Sequence, residues 1–95
     1  MSEKQAYQEK MAAQLREWEA QITQLQAKAD QAQADAKIEY YRQIETLRDK
    51  QSTARQKLQA LQAAGQDAWH EMKAGVDNAW NDLKHAVTNA MTRFQ

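Results

Sequence analysis

From Tyr7 onward an apolar or small residue returns every three or four positions: Tyr7, Met11, Leu15, Trp18, Ile22, Leu25, Ala29, Ala32, Ala36, Tyr40, Ile44, Leu47, Gln51, Ala54, Leu58, Leu61. Between Leu15 and Ala36 the steps alternate between three and four, the spacing of a heptad seam that keeps one helix face against a partner. Two steps of four meet at Ala36, Tyr40 and Ile44, which is a stutter. The alternation then resumes to Leu61. Ser2, with Gln5 three residues on, matches a capping box, so a helix is expected to begin there. Neither proline nor glycine interrupts residues 2–64. The pattern therefore predicts one long helix over about residues 3–63, roughly 90 Å at about 1.5 Å per residue.

Its thinnest part is Ala27 to Ala36, where the seam is alanine alone and buries little area. Two readings suit it: an unremarkable thin stretch of rod, which the pattern favours slightly, or a close contact with another helix. Gln51 is the one polar residue in the seam. Buried, it would set register at a cost in stability; the expectation is that it marks a wet place in the seam.

The break is expected at Ala63–Asp67, with Gly65 in the left-handed conformation that closes a helix and Asp67 as the next N-cap. Beyond it the period changes to eleven: Ala68-Trp69 with Met72, Lys73 and Val76 is repeated as Ala79-Trp80 with Leu83, Lys84 and Val87, then in part as Ala90, Met91 and Phe94. Eleven residues make three turns. Trp69, Met72, Val76, Trp80, Leu83, Val87, Met91 and Phe94 fall on one stripe, the most apolar surface of the chain. A second, shorter amphipathic helix over about 67–93 follows. It is expected to fold back antiparallel on the first, pairing positions that sum to about 131, with Trp69 over Leu61, Trp80 near Gln51 and Ala54, and Phe94 near Ala36.

Composition removes other classes. No cysteine means no disulfide and no cysteine-ligated zinc; β-branched residues and turn punctuation are too scarce for a sheet protein. Eighteen alanines and fifteen glutamines make up about a third of the 95 residues, against twelve Leu, Ile, Val and Phe together. Such low hydrophobicity raises the question of disorder. Zero net charge and a chain filled with strong helix formers argue for helix instead. Thirteen basic residues balance thirteen acidic ones, which gives no case for nucleic acid. There is no apolar run of transmembrane length, and the polar start is not a secretory signal, so a cytoplasmic location is expected.

Candidate chemistry is sparse. No phosphate loop or nucleophile motif occurs. His70 and His85 lie fifteen residues apart on the polar side, unlike the i, i+4 pair of a metal site, and read as solvated. No catalytic, cofactor or metal residue is assigned, and an enzyme is not expected. Glu39, Arg42, Glu45 and Arg48 step by three and read as a solvated, charge-laced face. The content lies in the interface candidates Leu15, Trp18, Ile22, Leu25, Trp69, Met72, Val76, Trp80, Leu83, Val87, Met91 and Phe94.

If the short helix covers only residues 36–63, then Met11, Leu15, Trp18, Ile22 and Leu25 have no partner in the same chain. A lone striped helix is marginal in water. The chain is therefore expected to be a single hairpin domain over 1–95 that forms a homo-oligomer, dimer or tetramer, as a helical bundle. Lipid is the other occupant considered for the tryptophan stripe. Four acids against three bases in residues 67–95 give no attraction to anionic lipid, so core or oligomer interface is preferred.

The opening Met1-Ser2-Glu3-Lys4-Gln5-Ala6-Tyr7, the stretch Ala29-Asp30-Gln31-Ala32 through Ala36-Lys37-Ile38-Glu39-Tyr40, and Asp67-Ala68-Trp69 with Met72-Lys73-Ala74-Gly75-Val76 resemble a family of small bacterial coiled-coil proteins labelled stress-response. Its members look like an apolipoprotein-type helical domain. The resemblance covers nearly the whole chain and rests on helix-former patterns. It implies a bacterial, non-enzymatic helical protein, a structural or interaction protein that scaffolds or protects under stress, and assigns no site residues. The alternative function is a peripheral lipid-binding protein that uses its amphipathic helix.

Overall fold

The computed structural model describes residues 2–94; Met1 and Gln95, which the single-domain expectation includes, lie outside the described residues. The described chain is all-α, with three helices: α1, Glu3–Gln31; α2, Ala34–Ala63; and α3, Trp69–Arg93. They pack as an up-down-up bundle measuring 51 × 20 × 18 Å.

α1 opens as expected. Ser2 is the N-cap, and its hydroxyl accepts the Gln5 N–H at 3.1 Å. The single helix over 3–63 does not form. Ala32 (φ −78°, ψ 159°) and Gln33 (φ −72°, ψ 160°) are extended, and the chain reverses there. The turn falls in the all-alanine seam, and the energetics explain it. Breaking the helix forfeits a few backbone hydrogen bonds, each worth about 0.5–1.5 kcal/mol net. Its freed groups stay close to water, and the Ala32 N–H still reaches the Ala29 carbonyl at 3.1 Å. In return Met11, Leu15, Trp18, Ile22 and Leu25 become buried. Each large side chain taken out of water contributes about 1.5–3 kcal/mol, so burial outweighs the break. Lys28 in the last turn of α1 and Asp35 in the first turn of α2 carry the charges that suit those ends.

The five residues expected to need another subunit are thus covered within the chain, by α2 and α3. The structural motive for an oligomer is removed. α1 and α2 run antiparallel, and Arg48 reaches Glu19 across the interface. α2 and α3 pair in the expected register. Lys50–Asp82 (2.7 Å) and Glu39–Arg93 (2.6 Å) both sum to 132, and Phe94 stacks on Tyr40 at 4.0 Å.

Two details at the second turn differ from expectation. Gly65 has no positive φ, and the reversal uses Ala64 in the same extended form as Ala32 (φ −75°, ψ 150°). Asp67 does not cap α3: it lies in a turn ahead of the helix, where the Trp69 N–H bonds the Gly65 carbonyl at 3.2 Å. Helix ends are instead closed from outside. Lys4 on α1 donates to the Gln62 and Ala64 carbonyls at the end of α2 (3.3 and 2.5 Å), and Lys28 donates to the Phe94 carbonyl at the end of α3 (3.4 Å). A cation on α1 thus complements each of those C-terminal dipoles.

The first turn makes a sharp prediction. Gln33 has proline's φ, Ala32 before it has the extended backbone that a proline requires, and the Gln33 N–H makes no backbone hydrogen bond. Gln33→Pro should therefore stabilise the protein by about 0.4–1 kcal/mol. In a continuous helix the same change would cost about 3 kcal/mol or more. A thermal melt that moves down by several degrees would restore the long helix.

Candidate functional site

The interface candidates come together inside the bundle. Leu15, Trp18, Ile22, Leu25, Trp69, Val76, Trp80, Leu83 and Val87 are buried, and Met72, Met91 and Phe94 are half-buried around them. Ile44, Leu47, Ala54, Leu58 and Leu61 complete the core from α2. Near the end of α3 the heptad spacing prevails over the eleven-residue one: Ala90 is buried, whereas Met91 stands half out. A small residue there lets α3 lie close to its neighbours while Phe94 stacks on Tyr40.

Aromatic pairs stitch α1 to α3. Tyr7 lies against Trp69 with ring centres 6.0 Å apart, and Trp18 against Trp80 at 6.3 Å. Tilted pairs at such distances contribute about 0.5–1.5 kcal/mol beyond their area. The Trp80 indole Nε1 is buried and has no hydrogen-bond acceptor among the described residues. An unmet buried donor costs about 1–3 kcal/mol, so this tryptophan trades part of its burial for position.

Two polar arrangements were not read from the sequence. In the first, Tyr7 donates to Asp77 Oδ1 at 2.6 Å while Lys73 Nζ, four residues before Asp77, donates to Oδ2 at 3.3 Å. Burial, then the Asp77 acceptor, pushes the Tyr7 hydroxyl above the usual tyrosine range. The neutral hydroxyl is the form the fold favours. The stability it contributes is therefore present below a pH of about 10 and is lost as pH rises through the alkaline range. Tyr7→Phe should lower stability at neutral pH and flatten the alkaline limb of the stability profile relative to the parent. Parallel alkaline limbs for the two proteins would refute the assignment.

In the second, Gln51 is buried rather than wet. Its amide donates to Glu19 Oε2, and Arg48 Nη1 donates to both Glu19 oxygens (2.9 and 2.7 Å) and to Gln51 Oε1 (3.3 Å). The Gln51 amide and then the Arg48 guanidinium hold the Glu19 carboxyl below the usual carboxylate range. Its contribution is present at neutral pH and is lost only as pH falls through that lowered value. Glu19 and Arg48 keep 44% and 40% exposure, so the pair's energy is heavily screened. Its value is register: one polar position in an apolar seam matches only one place on α1. Arg48 was expected on a solvated face with Glu45. Of that run, Arg42 and Glu39 approach within the helix, at 4.0 Å, while Arg48 crosses to α1. A period of three along one helix cannot reveal a partner on another.

His70 and His85 are exposed, and His70 lies against the Trp69 ring at 4.1 Å between centres. Among the described residues no group of three or more His, Cys, Asp or Glu side chains could hold a metal ion. The concavities are shallow clefts between helices. One, about 380 Å³, lies between α2 and α3 and carries the Lys50–Asp82 pair. Another, about 330 Å³, lies between α1 and α3, over Trp18 and Trp80. Among the described residues no helix is long and apolar enough to cross a membrane.

Comparison with family models, with curated proteins and with solved structures finds no match for this chain.

Proposed function

We propose that this chain is a non-enzymatic interaction protein, a small helical bundle that scaffolds or protects partners, with a role under stress as the resemblance to stress-response coiled-coil proteins implies. The observation that carries this reading is the closure of the apolar stripe. The large apolar side chains from Met11 to Leu25 and the tryptophans of α3 are turned inward, leaving Ile38 (58% exposed) and Tyr41 (42%) as the exposed large hydrophobics among the described residues. A protein organised this way presents charge and amide to its surroundings. Partners are recognised over the outer helix faces and the Ile38–Tyr41 end, not through a reaction site. A second copy of the chain is one such partner, meeting those outer surfaces and not the Leu15–Leu25 stripe. A cytoplasmic location belongs to the same proposal.

Peripheral lipid binding is the second reading, favoured by one observation: α3 is the most strongly amphipathic of the three helices. Its stripe faces the core, so lipid would have to draw α3 away from α1 and α2. Liposome flotation with tryptophan emission separates the two. The closed bundle predicts unchanged emission and no co-flotation with zwitterionic or anionic vesicles. A blue shift with co-flotation would replace the interaction reading by the lipid one.

A further inference from the structure

The apolar seam is a palindrome about the first turn. Backward from Leu25 it steps by three, four, three and four through Ile22, Trp18 and Leu15 to Met11. Forward from Ile44 it steps by three, four, three and four through Leu47, Gln51 and Ala54 to Leu58. All ten of these residues are buried. The midpoint of the pattern falls between Ala34 and Asp35. The polar crossings agree with it: Glu19 with Arg48 is centred between residues 33 and 34, and Asp30 with Tyr41 between residues 35 and 36. The turn at this midpoint is two rotations away from helix. Ala32 and Gln33 already have a helical φ (−78° and −72°), and only their ψ angles, 159° and 160°, keep them out of it. Alanine and glutamine both favour helix, so rotating ψ at the two residues joins α1 and α2 into one rod. The second connection is unlike the first: Gly65 and a turn separate Ala63 from Trp69.

We infer that two copies of the chain exchange α1 to form a two-fold symmetric dimer. In each protomer residues 3–63 straighten into one helix, the two long helices cross antiparallel at residues 34–35, and α1 of each lies on α2 and α3 of its partner. The two-fold axis coincides with the midpoint of the seam, so the contacts of α1 are remade between chains: Glu19 of one protomer with Arg48 of its partner, Tyr7 with Asp77, and Trp18 with Trp80. Such a swap needs no surface that the closed bundle lacks. Each chain regains the helical hydrogen bonds broken at Ala32–Gln33, and Ala36, exposed in the closed bundle, meets the partner helix close to the axis. Against this stands the lost freedom of two chains becoming one particle. The closed bundle therefore prevails in dilute solution, and the exchanged dimer assembles from opened chains at high concentration. The exchange goes beyond the interaction role proposed above, since it replaces a protomer's own α1 and leaves the outer faces as they are.

Refolding the full chain from denaturant at micromolar and at millimolar concentration, followed by sedimentation, provides the test. A dimer should form in the concentrated sample and a monomer in the dilute one. Isotope-filtered NMR on dimer refolded from a mixture of labelled and unlabelled chains should place the Trp80 indole N–H of one chain beside the Trp18 ring of the other; in the monomer that contact lies within one chain. Gln33→Pro has a turn whose backbone already suits proline, so it should fold as the closed bundle. In the exchanged dimer the same proline would sit inside both long helices and should weaken dimerisation at least about a hundredfold. No dimer from the concentrated sample, a dimer without the interchain Trp18–Trp80 contact, or a dimer formed equally well by folded Gln33→Pro would each overturn the exchange. Association through the outer faces alone gives the second of these results.

Discussion

Trp80→Ala should lower stability by about 3 kcal/mol, at the low end of the 3–5 kcal/mol range for large aromatic deletions. Trp80 is 5% exposed and packs on Trp18 from another helix, so its removal opens a cavity at the α1–α3 contact that neither backbone can close. The low end is expected because deletion also removes the unmet Nε1 donor, which offsets part of the loss. Trp80→Phe keeps an aromatic ring while it discards the donor and part of the indole, so it should cost clearly less than Trp80→Ala. A small domain has only about 5–15 kcal/mol in all, so the alanine variant should melt many degrees lower. His70→Ala and His85→Ala, at exposed sites, should stay within about 0.5 kcal/mol of the parent. Denaturant midpoints for the four variants check the order; a histidine variant weaker than Trp80→Ala would mean that the buried face has been misplaced.

Ile22→Ala should cost about 2–5 kcal/mol, the range for deleting a buried aliphatic side chain. Ile22 has no exposure at all, at the centre of the α1 stripe. The informative feature is concentration. With α1 covered by α2 and α3 of the same chain, burial of Ile22 needs no second copy, and the loss in Ile22→Ala should be the same over a wide range of protein concentration. Were the stripe covered by another subunit, the midpoint would rise with concentration by mass action. A concentration-dependent midpoint that Ile22→Ala abolishes would therefore restore the intermolecular bundle.

Much of the secondary structure was legible locally. Ser2 with Gln5 announced the first helix, and the three-four spacing from Met11 to Leu25 and from Ile44 to Leu61 picked out the residues that are buried. The break before the last helix and the antiparallel register of α2 and α3 also followed, because a turn close to Gly65 leaves little choice of pairing. These features depend on period, capping and chain length, which a single strand of sequence carries in full.

The turn at Ala32–Gln33 depends on something else. No glycine or proline marks it, and both residues adopt an extended backbone open to any side chain. Local propensity favours continuing the helix; the burial of Met11, Leu15, Trp18, Ile22 and Leu25 against α2 and α3 outweighs that preference, and the all-alanine seam is where breaking forfeits least packing. The same holds for the polar contacts. Glu19 with Arg48 and Gln51, and Tyr7 with Asp77, join residues 29 to 70 positions apart. Helical period determines which face a residue occupies; which faces meet is determined by the total area they bury together, and that sum exists only once the chain has folded.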